Sequence, residues 1–222
     1  MPASYPVLLD LSDITVLIVG GGCVAARKAR GLLDAGARRI RVVAPDVCEE
    51  MPGDVQHDAR WFAIDDLDGA QLVFAATDDT QVNDEIVCAA RKRGVFACRA
   101  DAPRDASVGG TFVTPAVLRK GPITVAVATD GNPALSAALR DHLAELLDGK
   151  WEALATAAAA LRPMVQQSSE LTPAQRHEIF RAMATDEAMR IMQSGGLEGL
   201  KEWLAGRFPT SRDLLDLSHT HA

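Results

Sequence analysis

An α/β architecture follows from three features of this 222-residue sequence. Apolar, β-branched runs alternate with helical patterns through the first half, a glycine-rich joint links the first such run to the first helix, and after about residue 110 the pattern changes to a hairpin and then to helices alone. The expected arrangement is a parallel sheet with helices on both faces over 1–110, a β-hairpin and helix over 111–149, a small helical C-terminal domain over 150–208 and a flexible tail over 209–222.

Each element has its own signal. The run ITVLIVG (14–20) is a buried strand stopped by glycine, and 23–35 reads as a helix whose Ala25, Ala26 and Ala29 permit close packing and whose C-terminal glycine is Gly36. IRVVAP (40–45) is a second strand and ARWFA (59–63) a weaker third. QLVFAAT (71–77) is a buried strand, followed by a helix over 80–94 with a polar cap and basic residues in its last turn, and VFACRA (95–100) is the last strand of the series. Two β-rich segments then flank Arg119-Lys120-Gly121-Pro122, and a helix is expected from Pro133 to about Leu147. From Trp151 the pattern is helical; Thr172-Pro173-Ala174-Gln175 is a capping box, and glycines 195, 196, 199 and 206 are expected to break up the last helices. The tail after Phe208 shows no core face.

Composition narrows the class of function. The chain is 48% hydrophobic and 24% charged, which suits a globular protein. A net charge of -7 opposes sequence-independent binding to nucleic acid or to anionic membrane, both of which rest on basic surfaces. No apolar run reaches the roughly 18–20 residues needed to cross a bilayer, and the N-terminus lacks the plan of a signal peptide, so a cytoplasmic protein is expected. Cysteines 23, 48, 88 and 98 show no C-x-x-C spacing; Cys88 and Cys98 sit in apolar patterns, which favours buried free thiols over zinc or disulfides, and no metal ligands are assigned.

The stretch Gly20-Gly21-Gly22-Cys23-Val24-Ala25 fits G-x-G-x-x-A, the dinucleotide fingerprint of a Rossmann-like parallel sheet. One glycine makes the tight turn, the next lets backbone approach a pyrophosphate, and the small last residue lets helix and strand pack closely. The helix N-terminus then offers unpaired N–H groups to the phosphates. The competing reading, a glycine turn that only tightens a strand–helix joint, loses weight because the motif follows a strand, opens a helix and lies in a unit of βαβ length. An acidic residue for the ribose hydroxyls is expected at the end of the second strand. Here that strand ends in Ala44-Pro45 with Asp46 one step beyond, and no arginine is present to welcome a 2′-phosphate, so NAD is favoured over NADP; a turn or helix cap is the alternative for Asp46.

Taken together, LIVGGGCVAARKARGLLDAGA, FAATDDTQVND, the D-A-P of 101–103 and VAVATDGNPALSAALRD resemble the N-terminal module of sirohaem synthases, the precorrin-2 dehydrogenase family, some of whose members are also sirohydrochlorin ferrochelatases. The resemblance runs from about Pro6 into the helical segment and is strongest before residue 145. It implies a homodimer with an NAD-binding domain, a dimerisation segment from the 111–147 region, and a helical domain over the site, acting on a tetrapyrrole. It also implies that Asp101 is catalytic, that Cys23, Val24, Pro45 and Asp46 hold the cofactor with the glycines, and that Thr77, Asp78 and Asn83 line the nucleotide side of the cleft. From spacing alone Asp101 is a turn aspartate before Ala102-Pro103. A substrate rich in carboxylates needs local cations; Arg99, Arg104, Arg119, Lys120 and Arg140 are candidates as a group, each with a solvated surface charge as its alternative, and Thr129 supplies a hydroxyl.

The chain departs from the family where V-S-S-G-G is replaced by Ala128-Thr129-Asp130-Gly131, and where the 104–110 loop is longer; the methyltransferase domain of fused forms is not expected. Scattered His57, His142 and His177 and the tail Ser218-His219-Thr220-His221 make no metal site by spacing. Two other functions stay open: a dehydrogenase that also inserts iron or cobalt, and a binding module that senses NAD and NADH.

Overall fold

The computed structural model describes residues 5–100, 108–130 and 132–211. Asp101, Arg104, Gly131 and the His-containing tail lie outside the described residues. The chain divides into two compact units, Met1–Thr114 and Pro115–Ala222.

The first unit is built on a five-stranded parallel sheet of order β3-β2-β1-β4-β5. Its strands are β1 (Thr15–Val19), β2 (Arg39–Ala44), β3 (Gln56–Ala59), β4 (Leu72–Ala75) and β5 (Phe96–Arg99), with α1 (Cys23–Asp34) and α2 (Thr80–Arg93) as crossover helices. Period-two alternation sends β1 side chains to two different cores. Val16 and Ile18 pack with Ala25 and Ala29 of α1, whereas Leu17 and Val19 pack with Ile86 and Val87 of α2. Because β1 and β4 are covered on both faces, they read as continuous apolar runs, as central parallel strands should. This is the Rossmann-like layering expected, with helices on both sides.

One strand is displaced from its expected position. β3 occupies Gln56–Ala59, not 59–63. It is the edge strand and three of its four residues are exposed, so no apolar run announces it. The aromatic residues that suggested the later register do other work: Phe62 packs on the α2-side core and Trp61 is exposed.

In the second unit, β6 (Ala116–Lys120) and β7 (Ile123–Val127) form the antiparallel hairpin, and α3 (Pro133–Leu146) packs against it. The helices α4 (Gly149–Gln167), α5 (Pro173–Met183) and α6 (Asp186–Arg207) enclose their own core. On α4 this core takes Leu154, Ala157, Leu161 and Val165, the i, i+3, i+4 rhythm of one helical face. The Thr172–Gln175 capping box forms as read: the Gln175 N–H donates to the Thr172 hydroxyl, and the Gln175 carboxamide accepts from the Thr172 N–H. The glycines of α6 break it less than expected. Only Gly196 leaves helical geometry, at φ 60° and ψ -155°, and there a kink divides α6 into two helical segments. Pro209–Ser211 form a 3-10 turn that buries Ser211. Among the described residues, no helix is long and apolar enough to cross a membrane.

Candidate functional site

The carboxyl edge of the parallel sheet gathers the candidate residues of the first unit. At the end of β1, Gly20 takes φ +117° while its N–H donates to the Val43 carbonyl at 3.0 Å, and a Cβ there would stand 2.3 Å from the Ala76 oxygen. Gly21 is closed as well. A Cβ would lie 1.9 Å from the Asp46 carbonyl oxygen, and the Gly21 carbonyl accepts from the Cys48 N–H at 2.8 Å. These two glycines let the β1 tip press against the β4 and β2 loops.

Gly22 differs. It is the N-cap of α1 in extended backbone, and nothing lies within 4 Å of where its Cβ would be. Among the described residues no side chain caps α1, and no acidic residue occupies its first turn, so its initial N–H groups keep the positive end of the helix available. Ala25 is fully buried against the sheet, as the last small residue of the fingerprint requires. Free space at Gly22 beside uncapped amides fits a pyrophosphate, and so fits a dinucleotide.

Around this cradle the remaining candidates separate. Cys23 and Val24 open α1 and are exposed; Pro45 is half-buried and Asp46 exposed just past β2. Asp78 is exposed, and its neighbour Asp79, which sequence reading passed over, is the N-cap of α2, accepting from Gln81 N–H at 2.8 Å and Val82 N–H at 3.3 Å. Asn83 is fully buried, and its carboxamide is spent on Thr77, leaving its shape and not its polarity to the cleft.

The cations proposed for an anionic substrate are mostly committed elsewhere. Arg99 is buried at the end of β5 and pairs with Asp84 of α2, so it is neither a solvated surface charge nor presented to solvent. Lys120 donates from Nζ to the Ala144 and Leu147 carbonyls at 2.7 and 2.6 Å, capping the C-terminus of α3. Arg140 pairs with its neighbour Asp141 at 2.6 Å, and Arg119 is exposed. Thr129 donates its hydroxyl to the Asn132 carbonyl at 2.6 Å and sits 2.7 Å from the Ser136 hydroxyl, which organises the start of α3. Distance along the chain hid these partners: Lys120 meets carbonyls 24 and 27 residues away.

Lys28 was not singled out from sequence, yet the fold gives it a position. Its Nζ donates to Thr114 Oγ1 at 2.5 Å and lies 5.9 Å from the centre of the Phe74 ring, and burial pushes its pKa down. Phe74 meets Phe112 edge-on at 5.4 Å, while Thr111 bonds both the N–H and the carbonyl of Ala97. These contacts pin 110–114 beside β5. The cysteines also depart from expectation: Cys98 is buried and its thiol is pushed up by that burial, but Cys88 is exposed.

Residues 7–116 match the model of a putative NAD(P)-binding family. A siroheme synthase of Nitrosomonas eutropha is 41% identical over 170 residues, covering 73% of this chain and 35% of the relative. One from Tolumonas auensis is 34% identical over 205 residues, covering 90% of this chain and 42% of the relative. The chain thus spans well under half the length of these curated relatives. A solved structure described as SirC, precorrin-2 dehydrogenase, superposes with a TM-score of 0.73 at 23% identity, over 91% of this chain and all of that one, and shares its fold. The first unit is accordingly a nicotinamide-nucleotide-binding domain of the Rossmann type. Over most of its length the chain is similar to siroheme synthases, and it shares the fold of a precorrin-2 dehydrogenase.

Proposed function

We propose that the protein is an NAD-dependent dehydrogenase that oxidises precorrin-2 to sirohydrochlorin. The observation that carries the reading is the contrast between Gly20 and Gly21, where a Cβ would strike the Ala76 and Asp46 carbonyls, and Gly22, open beside an uncapped helix end at the carboxyl edge of a parallel sheet. In this reading the amides of Gly22, Cys23 and Val24 hold the pyrophosphate. Asp46 takes the ribose hydroxyls, and the acidic tip of Asp46, Glu49 and Glu50 disfavours the extra phosphate of NADP. The Pro45 and Thr77–Asp78 loops flank the nucleotide. Bound there, the nicotinamide supplies the hydride acceptor.

Asp101 is the proposed catalytic residue. The Ala100 N–H bonds the Ala75 carbonyl at 2.9 Å, so the chain is in register with the sheet up to the residue that precedes Asp101. Its carboxylate accepts the proton released as the macrocycle gives up hydride, so the reaction consumes precorrin-2 and NAD+ and yields sirohydrochlorin, NADH and a proton. Arg104, Arg119 and Arg140 are retained as partners for substrate carboxylates; Arg99 and Lys120 are not, because their charges serve Asp84 and α3. A homodimer is part of the proposal, supported by Leu135, Leu139 and Leu146, which leave an apolar row exposed on α3. So is a cytoplasmic setting, where exposed thiols such as Cys23 and Cys88 stay reduced.

The test is absorbance of NADH at about 340 nm on adding precorrin-2 to protein and NAD. Signal that appears with NAD, is much weaker with NADP, and vanishes in Asp101→Asn while dinucleotide affinity persists supports the reading. Dinucleotide binding without consumption of precorrin-2 would turn it toward a sensor.

A further inference from the structure

We propose that Cys23, Cys48 and Glu50 form a binding site for a borderline-soft divalent cation such as Zn2+, beyond the dehydrogenase reading, at side chains that border the proposed nucleotide cradle. The two thiol sulfurs and a carboxylate oxygen all lie within 4.8 Å of one another. The sequence hides the grouping, because Cys23 begins α1 whereas Cys48 and Glu50 follow β2.

Backbone contacts hold the three together. The Cys48 N–H donates to the Gly21 carbonyl at 2.8 Å, two residues before Cys23. The Met51 N–H donates to the Cys48 carbonyl at 3.0 Å, closing the turn that carries Glu50, and Arg30 of α1 donates to the Glu50 carbonyl at 2.8 Å. The absent side chain of Gly21 is what permits the approach, since a Cβ there would strike the Asp46 carbonyl.

The donor set suits the ion. Zinc takes thiolate at about 2.3 Å and carboxylate at about 2.0–2.2 Å, so tetrahedral ligands stand roughly 3.5–3.8 Å apart. The ligand atoms, within 4.8 Å of one another, need to close by about 1 Å to reach that spacing. Two thiols and one carboxylate favour zinc-like ions over Mg2+ or Ca2+, which prefer all-oxygen shells. Three protein ligands leave a fourth position for water. Without a cation, hydrogen bonding to Glu50 raises the Cys23 thiol, and the same bond from Cys23 lowers Glu50. The Arg30 charge also lies near Glu50 and its guanidinium is bound to the Glu50 carbonyl. Cation binding exchanges the two thiol protons for one dication, with no change of oxidation state.

The test uses the full chain, reduced and stripped of metal, titrated with Co2+ alone and then with Zn2+. Thiolate-to-cobalt charge-transfer absorption saturating at about one equivalent, and reversed by Zn2+, is expected. Cys23→Ser and Cys48→Ser should abolish the absorption with unchanged circular dichroism, Glu50→Gln should weaken affinity on the order of tenfold or more, and Cys88→Ser should change nothing. Absence of the absorption in the wild type, or its survival in both Cys23→Ser and Cys48→Ser, would overturn the site. So would a Cys23–Cys48 disulfide formed on mild oxidation of a protein whose reduced form takes up no metal. None of these readouts requires dinucleotide or turnover, so failure here leaves the dehydrogenase reading standing, and the reverse.

Discussion

Asn83 grips Thr77 at both ends of its peptide unit: the Asn83 amide oxygen accepts from the Thr77 N–H at 3.2 Å and hydroxyl at 2.8 Å, while its amide nitrogen donates to the Thr77 carbonyl at 3.0 Å. A fully buried carboxamide in the first turn of α2 thereby shapes the loop leaving β4. Replacing Asn83 with Ala should cost about 1–3 kcal/mol in urea denaturation, because the half-buried Thr77 peptide groups lose their partner. Asn83→Asp should be at least as damaging near neutral pH, since it sets a carboxylate against the Thr77 carbonyl.

The glycine cradle separates steric need from ligand need. Gly21→Ala should fail in both folding and binding, because its Cβ meets the Asp46 oxygen at 1.9 Å. Gly22→Ala should keep its melting temperature, as its Cβ enters open space in ordinary backbone, yet lose dinucleotide affinity because the methyl occupies the phosphate approach. Thermal melts paired with calorimetric titration of NAD distinguish the two; equal NAD affinity in Gly22→Ala and wild type would remove the cradle from the nucleotide site.

Asp46→Asn should weaken NAD binding by on the order of tenfold, the worth of one charge-assisted hydrogen bond. Asp46→Arg should improve NADP relative to NAD. Paired titrations with the two dinucleotides measure both changes, and an unaltered NAD/NADP ratio in Asp46→Arg would place the ribose elsewhere.

Asp66 gives the first unit an acid-sensitive tie. Its buried carboxylate accepts from Arg60 at 2.6 and 2.9 Å, from Arg41 at 3.0 Å and from the Ala63 N–H at 2.8 Å, and chiefly the Arg60 hydrogen bonds hold its pKa down to about 2. Against an ordinary value of 3.8, the shift contributes on the order of 2 kcal/mol at neutral pH. The folded state holds its proton less tightly than the unfolded state, so this stability is complete above the unfolded value and drains away as pH falls from about 4 toward 2. Asp66→Asn should be less stable by about that amount at pH 7, with the gap closing over the same window in denaturant titrations.

Lys120→Met should lower stability by about 1 kcal/mol through loss of the bonds to the Ala144 and Leu147 carbonyls. It should leave KM for precorrin-2 unchanged in the NADH assay, whereas a raised KM would return Lys120 to the substrate site.

Legibility followed the range of each interaction. The β1 and β4 runs, the Gly36 and Gly94 helix ends and the Thr172 box depend on neighbours a few residues away, and the chain forms them where its pattern says. β3 escaped because an exposed edge strand needs no apolar face. Arg99, drawn from sequence as a cation for substrate, is instead the buried partner of Asp84, fifteen positions back on α2.

By itself the sequence determined the alternation of strand and helix, the placing of three glycines at a strand–helix joint, and through them the class of cofactor, because periodicity and backbone freedom are local properties. Only the tertiary structure decided which polar side chains are spent on the fold and which remain for chemistry. It joined Asn83 to Thr77, Lys120 to the end of α3, and Cys23 to Cys48 and Glu50, because a hydrogen-bond partner or a shared cation is set by proximity in space, which spacing along the chain does not encode.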